Sequence, residues 1–164
     1  RFQVGRRVLD DNDQLSLEWA GTYKHYHSAL FRTLVIGKPR PLHVSMHSAV
    51  HDALVACEEA LVPGNTMGEV FSAHANTLDK TEFAAHRLNA CGYSLGPRFS
   101  PTWMEAQMFY EDAPTLIEPS MVFFLHMILF DSESQTAMCL GRTSVVTQTG
   151  SEPLSRISLD LAVK

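Results

Sequence analysis

Two polar side chains interrupt apolar strands in this sequence, and each could do chemistry. Glu18 sits within LSLEWAG. Burying an unpaired charge is costly, so a carboxylate in such a strand either faces solvent or serves a purpose. On the concave side of a sheet it would be available as a base or a nucleophile. His126 is the one polar side chain in MVFFLHMILF. Strand alternation puts it on the same face as Val122, Phe124, Ile128 and Phe130. Two readings stay open for it: a hydrogen-bonded core histidine, or a neutral imidazole lining a pocket. Trp103 and Glu105 lie in a proline-framed loop, the kind of segment that forms pocket rims.

Other histidines carry less. His25 and His27, with Arg32, lie along the strand that follows Glu18. His43, His47 and His51 recur at i, i+4, i+8, a spacing that stacks imidazoles on one helix face and can bind zinc. The stripe lies beside the apolar face, and no carboxylate or cysteine completes it. It reads as a solvated helix flank.

The elements that position these groups follow from periodicity. Residues 14–20 and 22–36 read as a hairpin with its turn at Ala20-Gly21. Residues 41–62 carry a helical period, with Leu42, Met46, Ala49, Val50, Ala53, Leu54, Cys57 and Leu61 on one face. Pro41 suits the first turn of that helix, and Pro63-Gly64 stops it. Thr66-x-x-Glu69 is a capping box opening a second helix with Met67, Val70, Phe71 and Leu78 inward. Residues 80–89 could continue as helix after a break. Residues 91–97 form a strand or loop of close backbone approach. Residues 98–118 read as irregular, 121–130 as a strand buried on both faces, and 137–148 as a closing strand. The order β-β-α-α-β-β-β points to an α+β fold, a sheet with helices on one face.

Composition bounds the function classes. The chain has 164 residues, 45% hydrophobic and 19% charged, with a net charge of −5. That suits one globular domain with a real core. No basic run appears, so nucleic acid is not an expected partner. The longest apolar run is too short to span a bilayer, so no membrane association is expected. Three separated cysteines fit buried free thiols in a reducing, cytoplasmic setting.

Four segments in order resemble the catalytic domain of the creatinase, aminopeptidase P and prolidase group. They are LSLEWAGTYKHYHSALFRTLVIGKP, CGYSLG, LIEPSMVFFLHMILF and LGRTSVVTQTGSEPLS. The resemblance implies the pita-bread fold, a curved antiparallel sheet with helices on one face. Only 17 residues precede Glu18, so the first half is expected to be incomplete. Residues 1–164 then form the C-terminal part of a catalytic domain, with an open sheet edge that a homodimer would cover.

The peptidases of that group bind two divalent ions through two Asp, one His and two Glu. Their positions correspond here to Glu18, Ala29, Tyr93, His126 and Gly141. Hard cations need more oxygen donors than this set offers, so neither a metal nor another cofactor is expected. The segment GYSLGPRFSPTWMEAQM is similar to the ectoine-hydrolase-like branch, which opens an amide-like C–N bond without metal. That similarity makes Tyr93, Trp103 and Glu105 pocket residues, with His27 beside them as a substrate contact. The implied machinery is Glu18 as nucleophile or base, His126 as proton shuttle and Tyr93 as oxyanion donor. The implied substrate is a small molecule or a dipeptide-like compound. The alternative is a binding or interaction module that kept the fold and lost the ligands.

Overall fold

The computed structural model describes residues 8–99 and 101–164. Residues 1–7 of the polar opening, and Ser100, lie outside the described residues. Strands β1 (Gln14–Tyr23) and β2 (Tyr26–Val35) form the hairpin. Helices α1 (Pro41–Ala60) and α2 (Met67–Leu78) follow. Then come β3 (Gly92–Leu95), β4 (Met104–Met108), β5 (Val122–Asp131), β6 (Thr136–Val146) and the short β7 (Ser151–Pro153) and β8 (Ala162–Val163). The sheet order is β1-β2-β6-β5-β3-β4, with β7 beside β6 and β8 parallel to β2.

The hairpin turn is not at Ala20-Gly21. Gly21 pairs with Ser28 inside the ladder, and the two-residue turn is Lys24-His25, both left-handed at φ 48° and 68°. Such a turn favours Asn-Gly, so Lys-His carries no turn signal of its own. The register is decided instead by which face the strand buries. Residues 98–118 are not wholly irregular either. β4 pairs with β3 as Tyr93↔Met108 and Leu95↔Met104, a shifted register that breaks the alternation expected of a strand. Of residues 80–89 only Ala84–His86 is helical, as a single 3-10 turn.

The helices begin and end as the sequence predicts. Pro41 opens α1, and Thr66 and Glu69 cap α2 reciprocally, Glu69 N–H donating to Thr66 Oγ1 at 3.2 Å and Thr66 N–H to Glu69 Oε2 at 2.6 Å. Their inward faces meet one face of the sheet. Met46, Val50, Leu54, Val70 and Phe71 share a core with Phe123, Leu125, Met127, Leu129 and Leu140. Arg142, paired with Leu125 and so on that same face, holds Glu58 of α1 at 2.7 and 2.6 Å. A bidentate, half-buried pair of this kind fixes geometry as well as adding energy.

The histidine stripe of α1 is not a solvated flank. His43 is fully buried against Arg40, whose Nη2 lies 2.8 Å from its Nε2. His47 Nε2 lies 2.9 Å from Leu159 O, because the C-terminal segment folds over the helix there. His51 stays partly exposed at its ring, beside Asp52.

The sheet curls strongly. β2 and β3 are not neighbours in the ladder, yet Tyr26 bridges Pro97 and Arg98 N–H donates to His25 O at 3.0 Å. The curl leaves the face away from the helices concave. Close approach is built in at Gly92, where a Cβ would stand 2.3 Å from Phe124 O and where φ is +150°. Replacing Gly92 by Ala is expected to cost about 2–4 kcal/mol, since both the contact and the backbone conformation are lost. Chemical denaturation of the variant measures it.

Candidate functional site

The concave face is built in rows across the ladder. Glu18 of β1 pairs with Phe31 of β2, Phe31 with Gly141 of β6, and Gly141 with His126 of β5. Direct partners point to the same side, so Glu18 and His126 share a face. The next row runs from Ala20 to Ala29, then through Thr143 to Phe124 and Tyr93. Thr143 Oγ1 accepts from Ala29 N–H at 2.8 Å and donates to Ala29 O at 2.9 Å, which closes the β2–β6 seam where the ladder stops.

An apolar cluster of Ala29, Tyr93, Leu95 and Phe124 floors this face, with Phe31, Trp103 and Val122 packed against it. Tyr93 stands with its ring centroid 5.4 Å from Phe124 and 5.5 Å from His126. Trp103 Nε1–H donates to Tyr93 Oη at 2.9 Å. Glu18, Tyr93, Trp103 and His126, four of the residues singled out from the sequence, therefore occupy one region.

His27 and Glu105 belong to an adjoining cavity of about 660 Å³, which also takes in Ser94, Leu95, Gln107 and Val122. It borders the cluster through Leu95 and Val122. Glu105 lies 3.7 Å from Arg98. His27 Nδ1 is buried without a hydrogen-bond partner among the described residues. Arg32 is on the other side. It pairs with Leu140 of the helix-side core, and its Nη1 donates to Phe31 O at 2.8 Å and Gly141 O at 2.6 Å. It ties β2 to β6 and does not enter the concave face.

Burial moves the titrating groups in one sense, toward their neutral forms. Desolvation raises the Glu18 carboxyl above its ordinary range. It pushes His126 down to about 4, so this imidazole is neutral at pH 7, and its Nδ1 has no partner among the described residues. Tyr93 is pushed up to about 12, by desolvation first and by the nearby Glu18 charge in addition, with the Trp103 hydrogen bond opposing. This bears on the proton-shuttle role expected of His126, because burial disfavours its charged form. In its resting state it can accept a proton or a hydrogen bond, but it is a poor store of protons.

The sequence reading placed Phe124 beside His126 and picked out Gly141, but it missed Phe31, which joins Glu18 to Gly141 across the ladder. Its signal was the pairing register, which no single strand displays.

The five positions that resemblance assigns to metal ligands do converge on this face, but their donors do not fit a two-metal centre. Ala29 offers none and is fully buried. Gly141 has no room for a side chain, since a Cβ would stand 2.7 Å from Leu125 O. The Tyr93 phenol stays protonated. Glu18 and His126 remain, and hard cations take six or so oxygen ligands. Among the described residues no group of three His, Cys, Asp or Glu side chains could hold a metal ion.

The family model for metallopeptidase family M24 matches residues 2–148. An uncharacterized hydrolase/peptidase of Sinorhizobium fredii is 30% identical over 160 residues, covering 96% of this chain and 40% of that protein. The ectoine hydrolase of Halomonas elongata is 29% identical over 148 residues, covering 90% of this chain and 36% of the relative. Dipeptidase PepE of Mycobacterium ulcerans superposes with a TM-score of 0.88 at 23% identity, covering 97% of this chain and 42% of that one, a likeness of fold. The chain thus spans well under half the length of these relatives. No helix of the described residues is long and apolar enough to cross a membrane.

Because His126 titrates near 4 in the fold and near 6.5 when unfolded, the unfolded state binds more protons between those values. Its contribution to stability is present above pH 6.5 and is lost as pH falls toward 4. Over that window it amounts to roughly 3 kcal/mol. Denaturation midpoints measured from pH 7 to pH 4 are expected to fall more steeply in the wild type than in His126→Gln.

Proposed function

The chain belongs to metallopeptidase family M24, and from that premise we propose a hydrolase of an amide-like C–N bond in a small substrate, working without a metal ion. One observation carries the proposal. Glu18, Tyr93 and His126 stand on the same concave face, at positions where the family's pattern puts metal ligands, while Ala29 and Gly141 withhold the remaining donors. The 29% identity to the ectoine hydrolase of Halomonas elongata supports this reading.

The chemistry follows from the shifted groups. Glu18 is exposed on β1, yet the surrounding groups desolvate its carboxylate enough to raise its pKa, which makes it a stronger base than a carboxylate at its ordinary value. Glu18 takes a proton from water, and the water oxygen forms a bond to the substrate carbon. The phenol of Tyr93, still protonated, donates to the oxyanion that develops. An aligned donor of this kind contributes about 3 kcal/mol to the barrier. As the C–N bond breaks, the proton held by Glu18 passes to the leaving nitrogen. The neutral His126 accepts a hydrogen bond at the rim of the reacting group. The enclosing rings of Phe31, Phe124, Tyr93 and Trp103 beside one carboxylate favour a substrate with a cationic, flat head, by cation–π attraction. The cavity with His27 and Glu105 takes the rest of the substrate. A dipeptide ending in proline is the competing substrate of the same reading.

Elemental analysis of the purified protein, paired with turnover assays on cyclic amidines, small amides and Xaa-Pro dipeptides, tests this. Substoichiometric Mn, Co and Zn together with chelator-resistant turnover is the expected result. Stoichiometric metal with chelator-sensitive turnover would overturn the metal-free mechanism. Glu18→Gln is expected to abolish turnover while leaving the far-ultraviolet circular dichroism spectrum and thermal midpoint in place; unchanged turnover removes Glu18 from the mechanism. Stable folding with no turnover on any of these compounds would favour the interaction-module reading.

A further inference from the structure

Tyr93 Oη has one hydrogen-bonding partner among the described residues, and that partner is Trp103. The chemistry of the pair is asymmetric. An indole N–H donates and offers no acceptor, whereas a phenol oxygen both donates and accepts. Trp103 Nε1–H therefore occupies a lone pair of Tyr93 Oη, and the phenol proton cannot point toward the indole. The ring of Tyr93 is walled by Phe124 at 5.4 Å, edge-on, and by His126 at 5.5 Å, both measured between centroids. The proton is therefore turned away from the indole, and Glu18 of the same face is near enough for its charge to act on this phenol.

The loop is arranged to hold the indole there. Thr102 Oγ1 accepts from Met104 N–H at 3.2 Å, a local turn that starts β4. The register then shifts between Tyr93↔Met108 and Leu95↔Met104, which lets the residue before β4 lie over Tyr93. Trp103 packs against the apolar floor, and its Nε1–H is the part that meets the phenol.

We propose that Trp103 is a positioning residue: its donor-only N–H turns the Tyr93 hydroxyl into an obligatory donor toward the substrate side of the site. This rests on the reading that Tyr93 faces the reacting group, and it adds what sets the direction of its proton. Without Trp103 the hydroxyl rotates and spends part of its time directed away. The indole also favours any negative charge that the phenol oxygen acquires as it donates, in keeping with the downward pull of this bond on Tyr93.

The test reads the phenol first and turnover second. Ultraviolet resonance Raman spectra of the protein, with the Tyr93→Phe spectrum subtracted, isolate this phenol, and the tyrosine doublet ratio separates a phenol that accepts and donates from one that only donates. The wild type is expected to show acceptance and donation, Trp103→Phe to lose the acceptance, and Trp103→His, which can restore an N–H donor, to regain it. A doublet unmoved by Trp103→Phe, or a wild-type phenol that only accepts, overturns the proposal. On a substrate found by the assays above, Trp103→Phe is expected to lower kcat about tenfold with KM held within about twofold, the size of one lost hydrogen bond. A change confined to KM, or equal losses in the Phe and His variants, overturns it as well. A doublet that shifts as expected in a protein without turnover supports the positioning and overturns the hydrolase reading, so the two fail separately. If Trp103→Phe does not fold, Trp103→Leu, which also lacks the N–H, supplies both readouts against Trp103→His.

Discussion

The antiparallel pairing of β5 with β6 is the constraint on which the rest depends. It runs unbroken from Val122↔Val145 to Asp131↔Thr136, so every side chain on these strands is committed to one face. One face carries Leu125, Met127, Leu129 and Leu140 into the helices. The other carries Phe124 and His126 to the concave side, opposite Thr143 and Gly141. A slip of one residue would exchange the two sets. It would also turn Arg142 away from Glu58, leaving a half-buried carboxylate without its partner. The helices therefore secure the site's register from behind without touching it.

Desolvation then sets the chemical character of the concave face. Glu18, His126 and Tyr93 are all moved toward their neutral forms by the same cause. In a metal centre, ionised ligands are held by the cation. Here the apolar rings of Phe31 and Phe124 stand beside the same positions, and the side chains available are a carboxyl of raised pKa, a neutral imidazole and a phenol. Such a set can move protons and donate hydrogen bonds. Family M24 thus supplies the frame, in which Ala29 and Gly141 offer no donor side chain to this face.

Much of the fold was legible because its signals are local. The period of α1 and the Thr66–Glu69 box depend on residues within a turn or two of each other, and both stand as read. The strand around His126 was legible from its continuous apolar run. The hairpin turn was misplaced because glycine is the strongest turn signal in that stretch, yet Gly21 lies in open space within the ladder. β4 was missed because its pairing is shifted and its residues are half-exposed. His47 was misread because its environment is made by the distant residues 159 and 160, which helical spacing cannot reveal, and His43 because the guanidinium of Arg40 folds back over it.

The sequence by itself determined most of the elements, the capping and the order of motifs that marks the family, and it picked out Glu18 and His126 as polar interruptions of apolar strands. Periodicity and composition act over a few residues, so they are written in the chain. Only the tertiary structure decided that Glu18 and His126 lie in one row through Phe31 and Gly141, that Tyr93 is bonded to Trp103, and that His27 and Glu105 line an adjoining cavity. Those facts come from strand register and sheet curvature, which bring together residues far apart in the chain. They also come from burial, which sets protonation through everything packed around a group and not through the group itself.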